Sequence, residues 1–339
     1  MFFASVYDFF RLFRLISRKK LLNFLQLKFS YFISIITGNP VHKGNPAFLS
    51  VEPTTSCNLR CPECFTTQPF FTRPKGSLTK ETFQKILNDS SEYGFYLNLY
   101  FQGEPFMNPE LIDFIGMAKQ AGFYTAISTN GNFLDEILAE KLVNAQLDRL
   151  IISLDGTDAA TYNEYRKNGN FEKVLTGIQS MVALKKRMEK RHPFIELQFL
   201  LTKKNQHQQK EIKKLGRQLG VDRVTIKAFQ LITNNSAEEW LPEKSTRYKT
   251  DKNGTVTLNS ILPNRCFRMW SSCVITWDGN VIPCCFDKNA SFSMGTILNQ
   301  SLDEIWKNEK YQIFRNKVFS ERKNIDICCN CSEGLSKKF

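Results

Sequence analysis

The pattern of apolar and polar positions begins with a helical stretch over residues 1–37. Apolar side chains recur there at steps of three and four, the period of an amphipathic helix, and Gly38 and Pro40 are expected to end it. The apolar positions are Phe2, Val6, Phe9, Phe13, Ile16, Leu22, Leu25, Phe29, Phe32 and Ile36. Two interpretations are open: a basic helix lying on a membrane surface, or a helix covering the core or a partner protein.

From residue 48 to residue 231, short apolar runs alternate with helical patterns. The predicted strands are Phe48–Glu52, Phe95–Phe101, Tyr124–Ser128, Arg149–Ser153, Phe194–Leu201 and Arg223–Lys227. The predicted helices run from Thr79 to near Tyr93, onward from Asn108-Pro109-Glu110, and over Leu134–Ala145, Asn170–Met188 and Gln206–Leu219. Repeated βα units require a parallel sheet with right-handed crossovers. Six units predict an α/β fold with a partial (β/α)6 TIM-like barrel.

The pattern changes after residue 231. Residues 232–264 are polar and contain Pro242, Gly254 and Pro263, which predicts a linker or irregular bridge. Beyond it, Val274–Trp277 and Val281–Cys284 flank Asp278-Gly279 and predict a β-hairpin, and Leu302–Asn308 predicts a short helix. We therefore expect a helical extension, a barrel, a bridge and a small cysteine-rich domain, over residues 1–47, 48–231, 232–264 and 265–339.

Cysteine usage indicates a reducing compartment. The chain has 339 residues and ten cysteines, which are bunched rather than spread as in small disulfide-rich secreted proteins. Asp8, Arg11 and Arg14 interrupt the early apolar run, so we expect no cleavable signal peptide. No apolar run approaches the roughly 18 residues of a membrane span. We expect a cytoplasmic protein, associated with a membrane if the first helices lie on one.

The net charge of +13 favours an acidic partner, which includes acidic peptides, nucleic acid and membrane surfaces. A zinc-stabilised protein that binds nucleic acid is one hypothesis, and the basic residues Lys185-Lys186-Arg187 could serve it. Such runs are usually solvated helix faces, however, and the basic stretches lack the interleaved aromatic residues of single-strand binders. Nucleic acid is therefore the partner that we least expect.

The most informative motif follows the first predicted strand. Cys57, Cys61 and Cys64 form a C-x3-C-x2-C triplet, which places three thiols within eight residues. A closed zinc or iron–sulfur site usually has four protein ligands, and an open coordination position is typical of a catalytic metal. A zinc site that borrows a remote fourth ligand is the alternative.

This triplet resembles the signature of the radical SAM superfamily. The resemblance implies a 4Fe–4S cluster whose free iron chelates S-adenosylmethionine through the methionyl amino and carboxylate groups. It also implies an external one-electron reductant of the flavodoxin or ferredoxin type, and a 5′-deoxyadenosyl radical that removes hydrogen from the substrate. The family pattern has a large apolar residue just before the third cysteine, where this chain has Glu63.

The same resemblance assigns roles to the loops after the next strands, which a parallel barrel brings to one rim. Gly103-Glu104 resembles the element that meets the methionyl amino group, although Gln102 stands where the family has a first glycine. Four residues resemble the side chains that hold the ribose and the carboxylate, and Arg166 resembles an arginine that pairs with the methionyl carboxylate. The four are Ser128, Asn130, Ser153 and Asp155.

A second cysteine group lies near the carboxyl end. Twelve residues separate Cys266 from Gly279 and four separate Gly279 from Cys284, which resembles the opening of a SPASM/twitch domain. Together with the C-x2-C pair Cys328 and Cys331, these cysteines provide four ligands. The resemblance implies one auxiliary iron–sulfur cluster, which we expect to be 4Fe–4S. A structural zinc is the alternative metal. Three further cysteines could replace a member of the set: Cys273, Cys285 and Cys329.

Two enzymatic hypotheses follow from these resemblances. The first is a maturase that modifies a peptide or protein, since the resemblance links the auxiliary domain to such substrates. The second is a dehydrogenase for a small metabolite such as a sugar or an amino-sugar. The sequence identifies neither the substrate nor a side chain that exchanges protons with it.

Overall fold

The computed structural model describes residues 2–232 and 236–331. Residue 1, residues 233–235 of the predicted bridge and residues 332–339 of the predicted carboxyl-terminal domain lie outside the described residues.

The amino-terminal stretch forms two helices, α1 (Phe2–Arg14) and α2 (Arg18–Thr37). Ser17 separates them because its hydroxyl oxygen accepts a hydrogen bond from the Lys20 backbone N–H and so caps α2. Gly38 ends α2 in the left-handed conformation, with φ of 71°, as predicted. No described helix combines the length and the apolar character needed to cross a lipid bilayer.

Six parallel strands in sequential order form the main sheet, which confirms the α/β fold and the partial barrel. They are β1 (Phe48–Val51), β2 (Tyr96–Asn98), β3 (Tyr124–Thr129), β4 (Arg149–Ser153), β5 (Phe194–Leu201) and β6 (Arg223–Ala228). Among the described strands, no ladder joins β6 back to β1, so the barrel stays open there.

Helices connect these strands on the outside of the sheet. They are α3 (Lys80–Ser90), α4 (Leu111–Gln120), α5 (Glu136–Asn144), α6 (Ala159–Tyr165), α7 (Phe171–Arg187) and α8 (Gln209–Leu219). Thr79, Asp135 and Asn170 cap three of them, each side chain accepting a backbone N–H three residues later. The sequence did not predict α6, a helix of seven residues that ends just before Arg166.

The bridge is more regular than predicted. It contains a helix, α9 (Ala237–Trp240), and an antiparallel hairpin of β7 (Tyr248–Thr250) and β8 (Val256–Leu258). The Asp251 carboxylate closes the hairpin turn by accepting the Asn253 and Thr255 N–H groups, both at 2.9 Å. Trp240 and Tyr248 are buried in a small core against the barrel, which explains why this polar stretch is ordered.

The carboxyl-terminal part extends the main sheet. Its elements are α10 (Arg268–Ser271), β9 (Ser272–Ile275), β10 (Asn280–Ile282), β11 (Gly295–Thr296), α11 (Leu302–Lys307), α12 (Glu309–Glu321) and α13 (Asp326–Cys329). The predicted hairpin forms between β9 and β10, and Gly279 has the expected positive φ of 79°. Strand β9 also pairs in parallel with β1, a contact that the sequence did not predict. The cysteine-rich part is thereby joined directly to the strand that leads into Cys57.

Candidate active site

The cysteine triplet lies in the loop that follows β1. The Cys61 side chain is buried, whereas Cys57 and Cys64 are partly exposed. The Cys64 N–H donates to the Cys61 carbonyl at 3.1 Å, and the Thr67 hydroxyl donates to the same carbonyl at 2.8 Å. These bonds hold the second and third cysteines in one tight turn. Glu63, which replaces the apolar residue of the family pattern, accepts the Ile232 N–H at 3.1 Å and so links this turn to the bridge.

The loop after β2 packs against the cysteine loop backbone to backbone. Gly103 has a φ of +71°, and a Cβ atom there would lie 2.4 Å from the Thr54 carbonyl oxygen and 2.7 Å from that of Ser56. The next residue, Glu104, donates its N–H to the Ser56 carbonyl at 2.7 Å. Only glycine fits this close approach, so the packing of the two loops by itself explains why residue 103 is a glycine.

Glu104 is buried and connects the second and third strand ends. Its two carboxylate oxygens accept the Thr129 hydroxyl at 2.7 Å and the Asn130 N–H at 2.8 Å. Burial raises the pKa of Glu104 to about 7, although both hydrogen bonds oppose this shift. Thr129 was missed by the sequence analysis, and no local signal distinguishes it from its neighbour Ser128.

Asn130 links the third strand end to the triplet. Its amide nitrogen donates to the Asn58 side-chain oxygen at 2.8 Å and lies 4.0 Å from the Cys57 sulfur. The structure therefore brings the loops after β1, β2 and β3 into one contact network.

Arg166 and Asp155 form a buried ion pair beside the second cysteine. The Arg166 Nε donates to Asp155 at 2.6 Å, and its Nη1 lies 3.8 Å from the Cys61 sulfur. Burial raises the pKa of Cys61, and the nearby guanidinium opposes that increase. The other Asp155 oxygen accepts the Leu200 N–H at 2.7 Å, so this carboxylate holds Arg166 in place. Asp155 is buried and does not line the cavity described below, and its assignment to the ligand stays a prediction.

A cavity of about 630 Å³ opens at the carboxyl ends of the strands. Except for Asp155, every residue assigned to the first cluster or to S-adenosylmethionine lines it: Cys57, Cys61, Cys64, Gly103, Glu104, Ser128, Asn130, Ser153 and Arg166. Gln198 and Gln230 from the barrel also line the cavity, and the sequence analysis missed both. Phe286, Lys288 and Asn330 contribute from the cysteine-rich part, so the two halves of the chain share one cavity.

The donor set at this cavity fits an iron–sulfur cluster. Three thiols face it, and the loop that carries them is fixed by the Gly103 contact. Among the residues that the structure describes, no three His, Cys, Asp or Glu side chains converge closely enough to surround one metal ion. The thiolates of a four-iron cluster bind different iron atoms and do not need to converge on one point.

The second cysteine group lies in the carboxyl-terminal part. The pKa of Cys328 is raised to about 11, mainly by burial and also by the neighbouring thiols of Cys331 and Cys266, while the Arg322 guanidinium opposes the increase. Burial raises the pKa of Cys284, and the neighbouring thiols of Cys285, Cys266 and Cys328 raise it as well, so these side chains lie near one another. Their role as ligands of one cluster stays a prediction. The Arg322 guanidinium, which the sequence analysis missed, lies within this group, with Nη2 3.5 Å from the Cys331 sulfur.

The three other cysteines have different surroundings. Cys273 lies in the core within β9, and Cys329 is exposed, with its thiol donating to the Lys323 carbonyl at 3.1 Å. Cys285 adjoins Cys284, and its sulfur lies 3.8 Å from an Arg268 nitrogen. Of the three, Cys285 is the candidate to exchange with a member of the predicted set.

Two family models match the chain. Residues 51–189 match the radical SAM superfamily, and residues 266–332 match the SPASM iron–sulfur cluster-binding domain. The chain belongs to the radical SAM superfamily. It is therefore an enzyme of a class that uses a 4Fe–4S cluster and S-adenosylmethionine, with auxiliary iron–sulfur binding in its SPASM domain. When bound, the first cluster supplies the electron that cleaves S-adenosylmethionine reductively.

Curated relatives and solved structures extend the comparison. The chain is 26% identical over 320 residues to the tungsten-containing aldehyde ferredoxin oxidoreductase cofactor-modifying protein of Pyrococcus furiosus, covering 84% of this chain and 87% of the relative. It is 27% identical over 282 residues to the PqqA peptide cyclase of Gluconobacter oxydans, covering 77% and 76%. The structure of Streptococcus suis SuiB bound to S-adenosylmethionine aligns with a TM-score of 0.61 at 15% identity, covering 85% of this chain and 71% of SuiB. This last likeness supports the fold.

Proposed function

We propose that this radical SAM enzyme abstracts hydrogen from a peptide or protein substrate. The observation that carries the proposal is the shared cavity, because the loops of the cysteine triplet form one wall and the cysteine-rich part forms another. A substrate held there lies between the two cysteine groups. The substrate class is also supported by a relative named as a peptide cyclase, which matches most of this chain.

Residue roles in the proposed site follow from what each side chain can donate or accept. Cys57, Cys61 and Cys64 hold the 4Fe–4S cluster as thiolates, and its remaining iron is left for S-adenosylmethionine. Glu104 as a carboxylate accepts from the methionyl ammonium, and Arg166 donates to the methionyl carboxylate. Ser128, Asn130 and Ser153 hydrogen-bond the rest of the ligand, and Asp155 positions Arg166.

The same proposal covers the remaining parts of the chain. Cys266, Cys284, Cys328 and Cys331 hold one auxiliary cluster, and an external flavodoxin- or ferredoxin-type protein delivers the electron. The division into residues 1–47, 48–231, 232–264 and 265–339 describes the domains of this enzyme. The charge of +13 favours acidic substrate segments, and Lys288 places a cation at the cavity.

A small molecule is the second candidate substrate. The observation that favours it is the relative named as a cofactor-modifying protein, which matches most of the chain at similar identity. The sugar or amino-sugar dehydrogenase hypothesis belongs to the same class. A small substrate would be enclosed by the cavity, whereas a peptide would extend beyond it.

Two stages of one experiment test the proposal. Anaerobic reconstitution with iron, sulfide, S-adenosylmethionine and a strong reductant is expected to yield 5′-deoxyadenosine, measured by mass spectrometry. Intact protein with a full complement of iron that yields none contradicts the reaction class.

The second stage addresses the substrate. Deuterium-labelled peptides encoded beside the gene are incubated with the reconstituted enzyme, and transfer of deuterium into 5′-deoxyadenosine is measured. Transfer together with a mass change in the peptide supports the maturase. Transfer from a labelled low-mass metabolite fraction, with every peptide unchanged, supports the small-molecule alternative and contradicts the peptide proposal.

A further inference from the structure

The outward sides of α1 and α2 carry a continuous series of exposed apolar residues, here called the amino-terminal apolar face. Its members are Val6, Phe9, Phe10, Phe13, Leu21, Leu22, Leu25, Phe29, Phe32, Ile35 and Ile36. Phe13, Phe29 and Ile36 are 60%, 66% and 67% exposed, respectively. Scattered exposed apolar residues are normal, but a contiguous face of this size marks an interaction surface.

The protein-facing side of α2 combines polar side chains with Phe24, Leu27 and Tyr31, which pack against the core. Lys20 donates to the Gly122 carbonyl at 2.7 Å, and Asn23 donates to the Asn45 carbonyl at 2.9 Å. Ser34 accepts the Val41 N–H at 2.8 Å. Most of the stripe predicted from the sequence is exposed. The helices nevertheless cover part of the core, because Ile16 of that stripe and the neighbouring Leu12, Phe24 and Leu27 pack against it. These polar contacts and the apolar packing together fix the helix, and its other apolar residues are left facing outward.

Helix α1 is held in the same way. The buried Asp8 side chain pairs with Arg149 and accepts the Tyr124 hydroxyl. Arg11 donates through Nε to Asp148 at 2.8 Å. Tyr124 and Arg149 begin β3 and β4, so the helix lies across the amino ends of the strands. The cavity lies at their carboxyl ends, on the other side of the barrel.

Charge identifies the occupant of this face. Residues 9–51 contain no Asp or Glu, and the exposed Arg14, Arg18 and Lys28 lie on the two helices beside the apolar stripe. Within the described part of the chain, neither Arg14 nor Arg18 has an ion-pair partner. An apolar helix face bordered by cations is the pattern of helices that lie on anionic lipid, since acyl chains take the apolar side chains and headgroups take the charges.

We propose that α1 and α2 attach this enzyme to an anionic lipid surface, with their axes along the surface and no segment crossing the bilayer. The amino ends of the strands then face the lipid, and the cavity faces the solution. Attachment therefore leaves the site open to a peptide or metabolite, and S-adenosylmethionine cleavage is expected to proceed equally with and without vesicles.

Flotation of the full-length holoprotein with vesicles tests this proposal. Vesicles of phosphatidylcholine with about 30 mol% phosphatidylglycerol are expected to carry the protein, and pure phosphatidylcholine vesicles are expected to carry much less. The Phe29→Glu/Phe32→Glu variant is expected to lower the vesicle-bound to free ratio by about tenfold or more. Arg14→Gln/Arg18→Gln should give a smaller loss that is confined to the anionic vesicles.

A matched control places the same substitutions on another surface. Ile137 and Ile261 are 68% and 91% exposed, so Ile137→Glu/Ile261→Glu adds the same charge elsewhere and should float like the wild type. Absence of wild-type flotation on anionic vesicles overturns the proposal. So does an equal loss in the control variant. Light scattering tests whether a second copy of the chain covers this face instead. If the wild type is a dimer that does not bind vesicles, and Phe29→Glu/Phe32→Glu dissociates that dimer, the face is a dimer interface and the lipid proposal is overturned.

Discussion

The two cysteine groups differ in how the chain supplies them. Cys57, Cys61 and Cys64 come from one loop and face a cavity, whereas the second group draws on residues from Cys266 to Cys331, 65 positions apart. The first group has three thiols and the second has four. A short loop that provides three ligands leaves a coordination position for a ligand from the cavity, and a set of four thiol ligands would leave none. The first arrangement suits chemistry and the second suits a closed auxiliary site.

Each group also has an arginine among its sulfur atoms, but the two are held differently. Arg166 is fixed by the carboxylate of Asp155, whereas Arg322 donates to the backbone carbonyl of Pro263 at 3.3 Å. A guanidinium favours neighbouring thiolates in both places. Only Arg166 also lines the cavity and can donate to a bound anion.

The largest expected effect is the loss of 5′-deoxyadenosine formation when a cysteine of the first group, but not of the second, is replaced. Cys61→Ala removes a thiol of the first group and is expected to reduce 5′-deoxyadenosine formation to background, because the cluster loses a ligand that no neighbour replaces. Cys329→Ala is the control, since that thiol is exposed and contacts only backbone carbonyls in the described structure. Mass spectrometry measures the 5′-deoxyadenosine that each variant forms. Activity retained by Cys61→Ala would contradict the assignment of Cys61 as a cluster ligand.

Replacing a cysteine of the second group should lower the iron content but leave 5′-deoxyadenosine formation nearly unchanged. Cys328→Ala is expected to lower the iron bound per protein, while 5′-deoxyadenosine formation without substrate stays within about threefold, since the first group is intact. Cys285→Ala tests the neighbouring cysteine and should keep its iron. If Cys285→Ala loses iron and Cys284→Ala does not, Cys285 rather than Cys284 is the cluster ligand.

A glycine pair tests how the first group is held. Gly103→Ala places a Cβ atom 2.4 Å from the Thr54 carbonyl oxygen, at a positive φ, and should displace the cysteine loop. We expect a loss of roughly 2–4 kcal/mol in unfolding free energy and a clear fall in cluster occupancy. Gly116→Ala in α4 meets nothing within 4 Å and should stabilise the protein slightly. Urea unfolding and iron analysis compare the two variants, and equal behaviour argues against the close packing.

The smallest expected effect is a pH dependence of the unfolding free energy, measured on the protein without S-adenosylmethionine. The pKa of Glu104 is raised from 4.5 to about 7 by burial, so the folded protein holds a proton that the unfolded chain releases. Stability should therefore fall as pH rises from about 4.5 to about 7, by roughly 1–3 kcal/mol. Glu104→Gln removes this contribution. Unfolding curves at both ends of this range should differ more in the wild type than in the variant, and parallel changes would exclude Glu104 as the cause.

The sequence predicted the parts of the fold that depend on local pattern. Strand and helix periods located all six barrel strands, and Thr79, Asp135 and Asn170 lie where the predicted helices begin. The cysteine triplet was visible because its spacing is short and contiguous. Such signals involve residues that are close in the chain, where geometry is set by a few dihedral angles.

The remaining features depend on contacts between distant residues. The pairing of β9 with β1 joins residues more than two hundred positions apart, and no local period indicates it. The orientation of Asp155 behind Arg166 depends on side-chain direction at a strand end. For α2, the period reveals an apolar side and a polar side but not which one faces the protein. Hydrogen bonds from Lys20 and Asn23, together with the packing of Phe24 and Leu27 on the core, decide that.

The central claim is that the first cluster has an iron atom without a protein ligand and that S-adenosylmethionine binds it. Electron paramagnetic resonance of the reduced, anaerobically prepared Cys328→Ala variant tests this directly, because the auxiliary signal is removed. A four-iron signal that shifts when S-adenosylmethionine is added is the predicted result. A signal that the ligand leaves unchanged, or a preparation that holds zinc and no iron at these cysteines, would contradict it.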